Sequence, residues 1–174
     1  MSKILDIGCG RAKTAGAFGI DVLAVPGVDL VHDLNRMPWP LPENRFDLVV
    51  CAHILEHVTD VAAVMNEIHR VSRPGARVKI VTPHFSSLNS WEDPAHLHHF
   101  AQRSFTFFAA GNKHCRAERQ MKVVSVRLSF GGGFWDWTGC FFHWCFPDFW
   151  EKQLCFIWRA RNIFVELEVV KDGL

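Results

Sequence analysis

The chain has 174 residues, which is enough for one domain with a sizeable core and too few for two ordinary domains. Hydrophobic residues make up 49% of it and charged residues 21%, a balance that disfavours a disordered, collagen-like or coiled-coil protein. With 19 Lys and Arg against 18 Asp and Glu, the net charge is too small to predict binding to nucleic acid or to an anionic membrane.

The first half of the chain has the pattern of a parallel sheet. Short runs rich in Val, Ile and Leu predict strands at residues 3–7, 19–23, 28–32, 46–51 and 77–82. A helix that crosses from the fourth strand to the fifth is predicted by apolar residues at steps of three and four, namely Val61, Val64, Met65, Ile68 and Val71. Strands followed by a crossover helix indicate an α/β fold.

The second half has a different pattern. Residues 123–130 and 164–171 alternate apolar with polar side chains, as antiparallel strands do. Residues 131–158 lie between them as an aromatic insertion that starts with three glycines. In it we predict a helix that begins at Pro147 and packs one face on the core, formed by Trp150, Leu154, Ile157 and Trp158. No linker divides the chain, so residues 1–174 are predicted to form a single domain.

An acid and two glycines end the first predicted strand. They are Asp6, Gly8 and Gly10, and glycines allow a backbone to approach a ligand closely. Asp21 ends the second strand and Asp33 the third, and a carboxylate in such a position can accept both hydroxyls of a ribose. Acids at three successive strand ends therefore predict a nucleotide-like ligand at the carboxyl edge of the sheet.

Further motifs follow these acids in a fixed order: Phe46-Asp47-Leu48-Val49-Val50, His53-Ile54-Leu55-Glu56-His57-Val58 and a segment from Glu67 to Gly75. Over roughly residues 3–110 the series resembles the class I S-adenosylmethionine-dependent methyltransferases of the type 11 group. The resemblance implies a Rossmann-like α/β domain with a mostly parallel seven-stranded sheet and an antiparallel last strand.

The resemblance also implies the contacts of the methyl donor. Asp6, Gly8 and Gly10 match positions around the methionine part, and Asp21 matches the ribose position. The remaining implied positions are Asp33 and Leu34 beside the adenine and His53 near the sulfonium.

The segment between Gly10 and Asp21 departs from the family pattern. It has about ten residues, where a full helix normally fits, so we expect a vestigial helix or an irregular loop. The family's loop usually has a third glycine, and in its place this chain has a stretch that contains Arg11 and Lys13. Either side chain could pair with the methionine carboxylate in place of the lost backbone amides. A solvated basic loop is the alternative.

A histidine-rich segment after the fifth strand is the predicted acceptor site, because α/β enzymes place their chemistry at this edge. His84 is the predicted base for an oxygen or nitrogen acceptor. Asp93 could orient a histidine, and His96 could bind substrate or act as a second base. A divalent metal held by some of His84, Asp93, His96 and His98 is an alternative, although their spacing follows no fixed ligand pattern. In a third interpretation these side chains serve only packing and capping.

Two other patterns contain metal-binding residue types. His53-x-x-Glu56-His57 matches an inverted zinc-protease motif, but it follows a buried strand within the methyltransferase series, so we do not assign a protease. His114 and Cys115, together with Cys140, His143 and Cys145, have zinc-ligand chemistry without a recognised spacing.

The sequence thus predicts methyl transfer from S-adenosylmethionine, with a glycan, a lipid intermediate or a small metabolite as acceptor. An inactive S-adenosylmethionine-binding or scaffold protein is the alternative. The aromatic insertion is expected to cover the acceptor site, to form a homodimer contact or to touch a membrane interface. No nucleic-acid partner is expected. The longest uncharged aromatic run, residues 137–147, is too short to span a bilayer, and reduced cysteines without a secretory signal predict a cytoplasmic protein.

Overall fold

The computed structural model describes residues 3–109 and 121–171. In chain order its elements are β1 (Ile4–Ile7), β2 (Phe18–Asp21), β3 (Leu30–Val31), β4 (Phe46–Ala52), α1 (Val61–Val71), β5 (Ser72–Pro83), α2 (Asn89–Glu92), a 3₁₀ helix (Ser104–Phe108), β6 (Met121–Ser129), α3 (Phe134–Cys145), α4 (Pro147–Phe149), a π-helical turn (Trp150–Leu154) and β7 (Asn162–Val169). The zinc pattern predicted from His114 and Cys115 involves residues outside the described ranges.

The seven strands form one sheet in the order β3-β2-β1-β4-β5-β7-β6. The pairs from β3 across to β5 are parallel, whereas β7 is antiparallel to both β5 and β6. The predicted α/β class, the mostly parallel sheet and the antiparallel last strand are therefore confirmed. Since β5 and β6 run in the same direction, the segment that connects β6 to β7 emerges at the carboxyl edge of β5.

The crossover helix α1 forms where its periodicity predicts it. Asp60 caps its first turn by accepting a hydrogen bond from the amide of Ala63 at 3.0 Å. Four of its apolar side chains are fully buried in the main core: Val64, Met65, Ile68 and Val71. The same core contains the strand residues Val49, Val78 and Ile80. Burial of this stripe fixes the helix on one face of the sheet.

The connection from β1 to β2 contains no helix among its residues, as the short spacing predicts. Its conformation is set by side chains that bind backbone amides. Oδ2 of Asp6 accepts a hydrogen bond from the amide of Thr14 at 2.6 Å, and Oδ2 of Asp21 accepts one from the amide of Gly10 at 2.8 Å. Two strand-end carboxylates thus hold an irregular loop in place of a helix.

The segment between β6 and β7 forms α3, α4 and the π-helical turn. Pro147 begins α4, as predicted. The predicted helix face is only partly present: Trp150 is fully buried and Leu154 packs against its cluster, but Ile157 is 69% exposed. The prediction for Ile157 is wrong because the helical turns end at Leu154, so the helical periodicity does not continue to residue 157.

Candidate functional site

A cleft opens at the carboxyl edge of β1, β2 and β4. Its volume is about 150 Å³, and its lining comes from Gly8, Asp21, Val22, Asp33, Leu34, Asn35, Ile54, His57 and Val58. Pockets that enclose a whole drug-sized ligand usually measure ~300–1,000 Å³. This cleft is smaller, so it can enclose only part of a ligand of that size, and the rest would remain open to its surroundings.

Gly8 forms the floor of the cleft where β1 ends. Its φ of +66° lies in the left-handed region, which glycine adopts without strain. A Cβ atom at this position would lie 2.5 Å from Cγ1 of Ile54, closer than carbon atoms approach. Position 8 therefore requires glycine both for its backbone angle and for the space beside Ile54.

Asp21 lies in the cleft with 7% of its surface exposed. Besides the Gly10 amide, it binds the amide of Leu23 through Oδ1 at 2.8 Å. Each carboxylate oxygen has a second lone pair, so the side chain can still accept ligand hydroxyls. The protein's own hydrogen bonds fix its orientation in advance.

Asp33, Leu34 and Asn35 form the opposite wall. Oδ1 of Asp33 accepts hydrogen bonds from the backbone and side-chain amides of Asn35 at 3.0 and 3.1 Å, and Leu34 is buried. Oδ1 of Asn35 in turn accepts a hydrogen bond from the amide of Thr59 at 2.8 Å. This wall offers a planar apolar group a buried leucine and an adjacent carboxylate.

The two basic residues of the β1–β2 loop differ in their surroundings. Nζ of Lys13 lies 2.7 Å from Oδ2 of Asp29, and its hydrocarbon chain lies over Gly19, where a Cβ atom would be 2.6 Å from Lys13 Cδ. Arg11 is exposed. The ion pair with Asp29 gives Lys13 a structural contact that its sequence position did not reveal.

His53 follows β4 in a conformation that is rare for a residue with a side chain. Its φ is +53°, and such angles in non-glycine residues often occur at functional sites. Nδ1 of His53 lies 3.3 Å from Oε1 of Glu56. This contact raises the pKa of His53 against the opposing effect of burial. The ring stands half-exposed at the rim beside the cleft.

Three metal-binding side chains converge next to His53. One ligand atom each from Glu56, His57 and His96 lie within 4.8 Å of one another. The group differs from the predicted set of His84, Asp93, His96 and His98, of which His96 alone belongs to it. Asp93 stays near His96, with 4.0 Å between Oδ2 and Nε2. Nε2 of His98 instead contacts the carbonyl oxygen of Val58 at 2.9 Å.

His84 is fully buried under the aromatic insertion. Nδ1 contacts Oγ of Ser86 at 2.8 Å, and Nε2 contacts Oε1 of Glu151 at 3.2 Å. Its ring also lies 5.6 Å from that of Trp150. Both ring nitrogens are thus engaged within the protein, and His84 is absent from the lining of the cleft. The histidine anchors the insertion to β5, and its role as the base stays a prediction.

A family model described as "Methyltransferase domain" matches residues 1–124, which include the cleft and the crossover helix. This chain belongs to the class I S-adenosylmethionine-dependent methyltransferases. The resemblance that the sequence motifs indicated is thereby confirmed.

This methyltransferase is similar to curated proteins in sequence and to solved structures in fold. The ubiquinone biosynthesis O-methyltransferase of Pseudomonas aeruginosa is 31% identical over 102 residues, covering 46% of this chain and 44% of that protein. The chain thus spans less than half the length of the curated relatives that it matches. Two solved structures share its fold. An S-adenosylmethionine-dependent methyltransferase from Archaeoglobus fulgidus has a TM-score of 0.65 and 16% sequence identity, and the match covers 96% of this chain and 86% of that one. One from Mesorhizobium loti has a TM-score of 0.60 and 17% identity, and the match covers 95% of this chain and 90% of that one.

The residues of the cleft suit the cofactor of this methyltransferase's family in space and charge. Gly8 leaves the space that a side chain would fill, Asp21 presents a pre-oriented carboxylate for ribose hydroxyls, and the wall at Leu34 suits an adenine ring. The acids also suit the positive charges of the donor. Their field is visible at Cys9, where burial and then the charges of Asp6 and Asp21 raise the pKa of the thiol.

Proposed function

We propose that this chain transfers the methyl group of S-adenosylmethionine to a hydroxyl oxygen of an amphipathic acceptor carried in a membrane. Family membership and the cleft support the donor. The observation that carries the acceptor class is an aromatic surface on the insertion, at the same sheet edge as the cleft. We define this aromatic surface as Phe134, Trp135, Trp137, Phe141 and Trp144, all of them at least 50% exposed.

Bound S-adenosylmethionine supplies a methyl group on a sulfonium, which is already a good leaving group. The chain itself then has to align the acceptor and limit access of water. Asp21 and Asp33 orient the donor from two sides of the cleft, and Gly8 permits close approach of the backbone. His53, which follows β4 directly before the cleft residue Ile54, would face the acceptor near the sulfonium.

Helix α3 exposes most of its large aromatic side chains, unlike a helix on a water-exposed surface. Its inward side carries Gly139, His143 and one aromatic residue, Phe142, which packs against the cluster of Trp150. Gly139 packs on Trp158, where a Cβ atom would be 2.6 Å from that side chain. Nε2 of His143 contacts Oε1 of Gln102 at 2.9 Å, and burial lowers the pKa of His143. The other large aromatic residues point outward, as in a helix that lies in a membrane interface.

The charges beside the aromatic surface support an anionic lipid surface. Lys152 within the insertion and Arg159 directly after it are exposed, whereas the acidic Asp148 is paired with Arg103, with 2.6 Å between Nη2 and Oδ2. Basic residues next to Trp and Phe favour anionic headgroups. Within the described ranges, every helix falls short of the length and apolar character that crossing a bilayer requires, so the proposed contact is peripheral.

The topology brings this surface and the cleft to one edge. The insertion leaves the sheet at the carboxyl end of β6, and Glu151 ties it to the carboxyl end of β5 through His84 and through the amide of Gln102 at 2.7 Å. A membrane bound to the aromatic surface would therefore lie beside the acceptor side of the cleft. The relatives named as O-methyltransferases support oxygen as the acceptor atom, and the free buried thiols of Cys9 and Cys51 support a reducing, cytoplasmic location.

The test is methyl transfer from donor labelled in its methyl group, with the membrane and the aqueous fractions of the producing cells offered separately. We expect label in lipid extracted from the membrane fraction, and less label with Trp135→Ser/Trp144→Ser. Val31→Ser, which changes an exposed residue on the outer strand β3, is the control and should transfer as the native protein does. Label confined to the aqueous fraction would contradict the acceptor class, and no transfer to either fraction would contradict methyl transfer.

A sedimentation assay tests the membrane contact without catalysis. The protein should co-sediment with vesicles of phosphatidylcholine and phosphatidylglycerol, less so with phosphatidylcholine alone, and the double tryptophan variant should remain in solution. If the native protein stays in solution and forms a dimer that the same substitutions dissociate, the surface contacts a second copy and the membrane proposal is wrong.

A further inference from the structure

We propose that Glu56, His57 and His96 form a binding site for a divalent transition-metal cation, with zinc as the ion that suits them best. Two imidazoles and one carboxylate are a ligand set that catalytic zinc sites use, with the remaining position open. Magnesium prefers oxygen ligands and would be disfavoured here. The site lies beside the cleft, since His57 also lines it.

Both histidines have the orientation of metal ligands. Nδ1 of His57 is 3.2 Å from the carbonyl oxygen of Ala95, and Nδ1 of His96 is 3.1 Å from that of Ser90. A carbonyl oxygen can only accept, so each Nδ1 carries the proton and each Nε2 keeps its lone pair. A hydrogen bond of this kind from the second nitrogen is the usual support of a metal-bound histidine.

The two rings are also held together. Their centroids are 4.6 Å apart at an interplanar angle of 65°, and the side chain of His96 is only 8% exposed. The amides of Leu97 and His98 both donate to the backbone carbonyl of Glu56, at 2.7 and 3.2 Å. These bonds join the loop that carries His96 to the loop that carries the other two side chains.

Glu56 supplies the observation that points most directly to a ligand. The residue is 1% exposed, and a buried carboxylate is costly unless it is paired. Oε2 accepts a hydrogen bond from Oγ1 of Thr82 at 3.1 Å. Oε1 has no hydrogen-bond partner among the described residues, and Nδ1 of the half-exposed His53 lies 3.3 Å from it. A metal ion bound by these three side chains would neutralise this charge.

The ligand atoms of the three side chains lie close enough to bind one ion after small movements. Ligands on tetrahedral zinc are about 3.3 Å apart when the metal–nitrogen distance is about 2.0 Å, against an upper limit of 4.8 Å here. Small rotations of the three side chains close that difference without movement of the backbone bonds that join the two loops.

The chemical role of the ion rests on the proposed function, whereas its binding does not. A hydroxyl of the acceptor on the open position would release its proton to solvent more readily. The resulting oxygen anion forms the new O–C bond to the methyl group as the S–C bond breaks, which leaves a neutral thioether. The residues of the site would thus supply acceptor activation at the rim where His53 stands.

Calorimetric titration of chelator-treated protein with Zn²⁺, and separately with Mg²⁺, tests the site. We expect one saturable Zn²⁺ site per chain and no comparable Mg²⁺ binding. His96→Ala and Glu56→Gln each remove a direct ligand, so each should lower the affinity for Zn²⁺ at least about 100-fold. Loss of a residue that only supports a metal ligand already lowers metal affinity by up to about 100-fold. His99→Ala is the matched control on the same loop, because His99 stacks on Trp91 at 3.6 Å instead, and it should retain native affinity.

Several results would overturn the site. Native affinity in both ligand variants would do so, as would the absence of saturable Zn²⁺ binding. Loss of Zn²⁺ in Cys140→Ser would assign the ion to the exposed thiol of that residue. Circular dichroism checks that each variant is folded. S-adenosylmethionine is titrated into the same samples, so a protein that binds the donor but no zinc disproves the metal site and leaves the proposed function intact.

Discussion

The sheet and the aromatic insertion distribute their polar residues in opposite ways. In the sheet, apolar side chains fill the core and carboxylates collect at the carboxyl edge, where Asp6 and Asp21 end β1 and β2. In α3, His143 faces the protein while Trp137 and Trp144 face outward. The sheet therefore follows the rule for a domain in water, whereas the insertion exposes large apolar side chains. The proposed function assigns the polar cleft to the methyl donor and the exposed aromatic surface to a membrane.

The largest effect should come from a buried ion pair on the sheet side. Arg70 lies 2.7 Å from Glu67 and donates to the carbonyl oxygens of Trp39 and Leu41 at 3.0 and 2.9 Å. Arg70→Leu removes the cation from a buried carboxylate that keeps the Trp39 amide as a hydrogen-bond donor, and we expect the free energy of unfolding to fall by about 3–5 kcal/mol. Chemical denaturation measures it. Arg36→Leu, an exposed control, should change it by less than about 0.5 kcal/mol, and equal losses would contradict the assignment.

A smaller effect is expected where the insertion joins the sheet. Burial raises the pKa of Glu151, but its hydrogen bonds with His84 and the Gln102 amide outweigh burial and hold this pKa below its ordinary value. The other titratable groups that interact with it are His143, Arg103 and Cys155. Near neutral pH, Glu151→Gln should lower the free energy of unfolding by about 1.5–3 kcal/mol, as for hydrogen bonds to a charged group.

The pH dependence of that difference follows from the sign of the shift. A carboxyl whose pKa is lower in the folded protein contributes fully above the unfolded value of about 4.3. Its contribution is lost as the pH falls through the folded value. The gap between native protein and Glu151→Gln, measured by denaturation from pH 7 downward, should therefore be constant at first and shrink below about pH 4.3. A gap independent of pH would show that Glu151 acts by packing alone.

The smallest effect on stability should come from the aromatic surface. Trp144 is 79% exposed, so Trp144→Ser should change the free energy of unfolding by less than about 0.5 kcal/mol, while vesicle binding falls. Trp150, fully buried in the same insertion, is the matched comparison, and Trp150→Ala should cost about 3–5 kcal/mol. A large loss of stability in Trp144→Ser would mean that this tryptophan belongs to the core.

The sequence predicts the sheet well because its information is local. Each parallel strand is a short apolar run, and the steps from Val61 to Val71 define α1 without knowledge of any other element. The acids at the ends of β1 and β2 are visible for the same reason. Their additional role could not be predicted, because the contact of Asp6 with the Thr14 amide depends on how an irregular loop closes.

Contacts between distant segments account for what the sequence did not predict. The end of β5 places His84 near the carboxyl edge, but its contact with Glu151, 67 residues later in the chain, has no signal in the sequence. The group of Glu56, His57 and His96 joins two loops that are about 40 residues apart in the chain. Neither pairing follows a periodic pattern, so only the folded arrangement reveals it.

Calorimetric titration with S-adenosylmethionine, and separately with its demethylated product, tests the central claim about the carboxyl edge most directly. The native protein should bind both ligands saturably, and Asp21→Ala should bind neither measurably. Asp47→Ala, at the opposite end of the neighbouring strand β4, should bind like the native protein. Absence of binding to the native protein, or equal affinity in the two variants, would contradict the assignment of this cleft as the donor site.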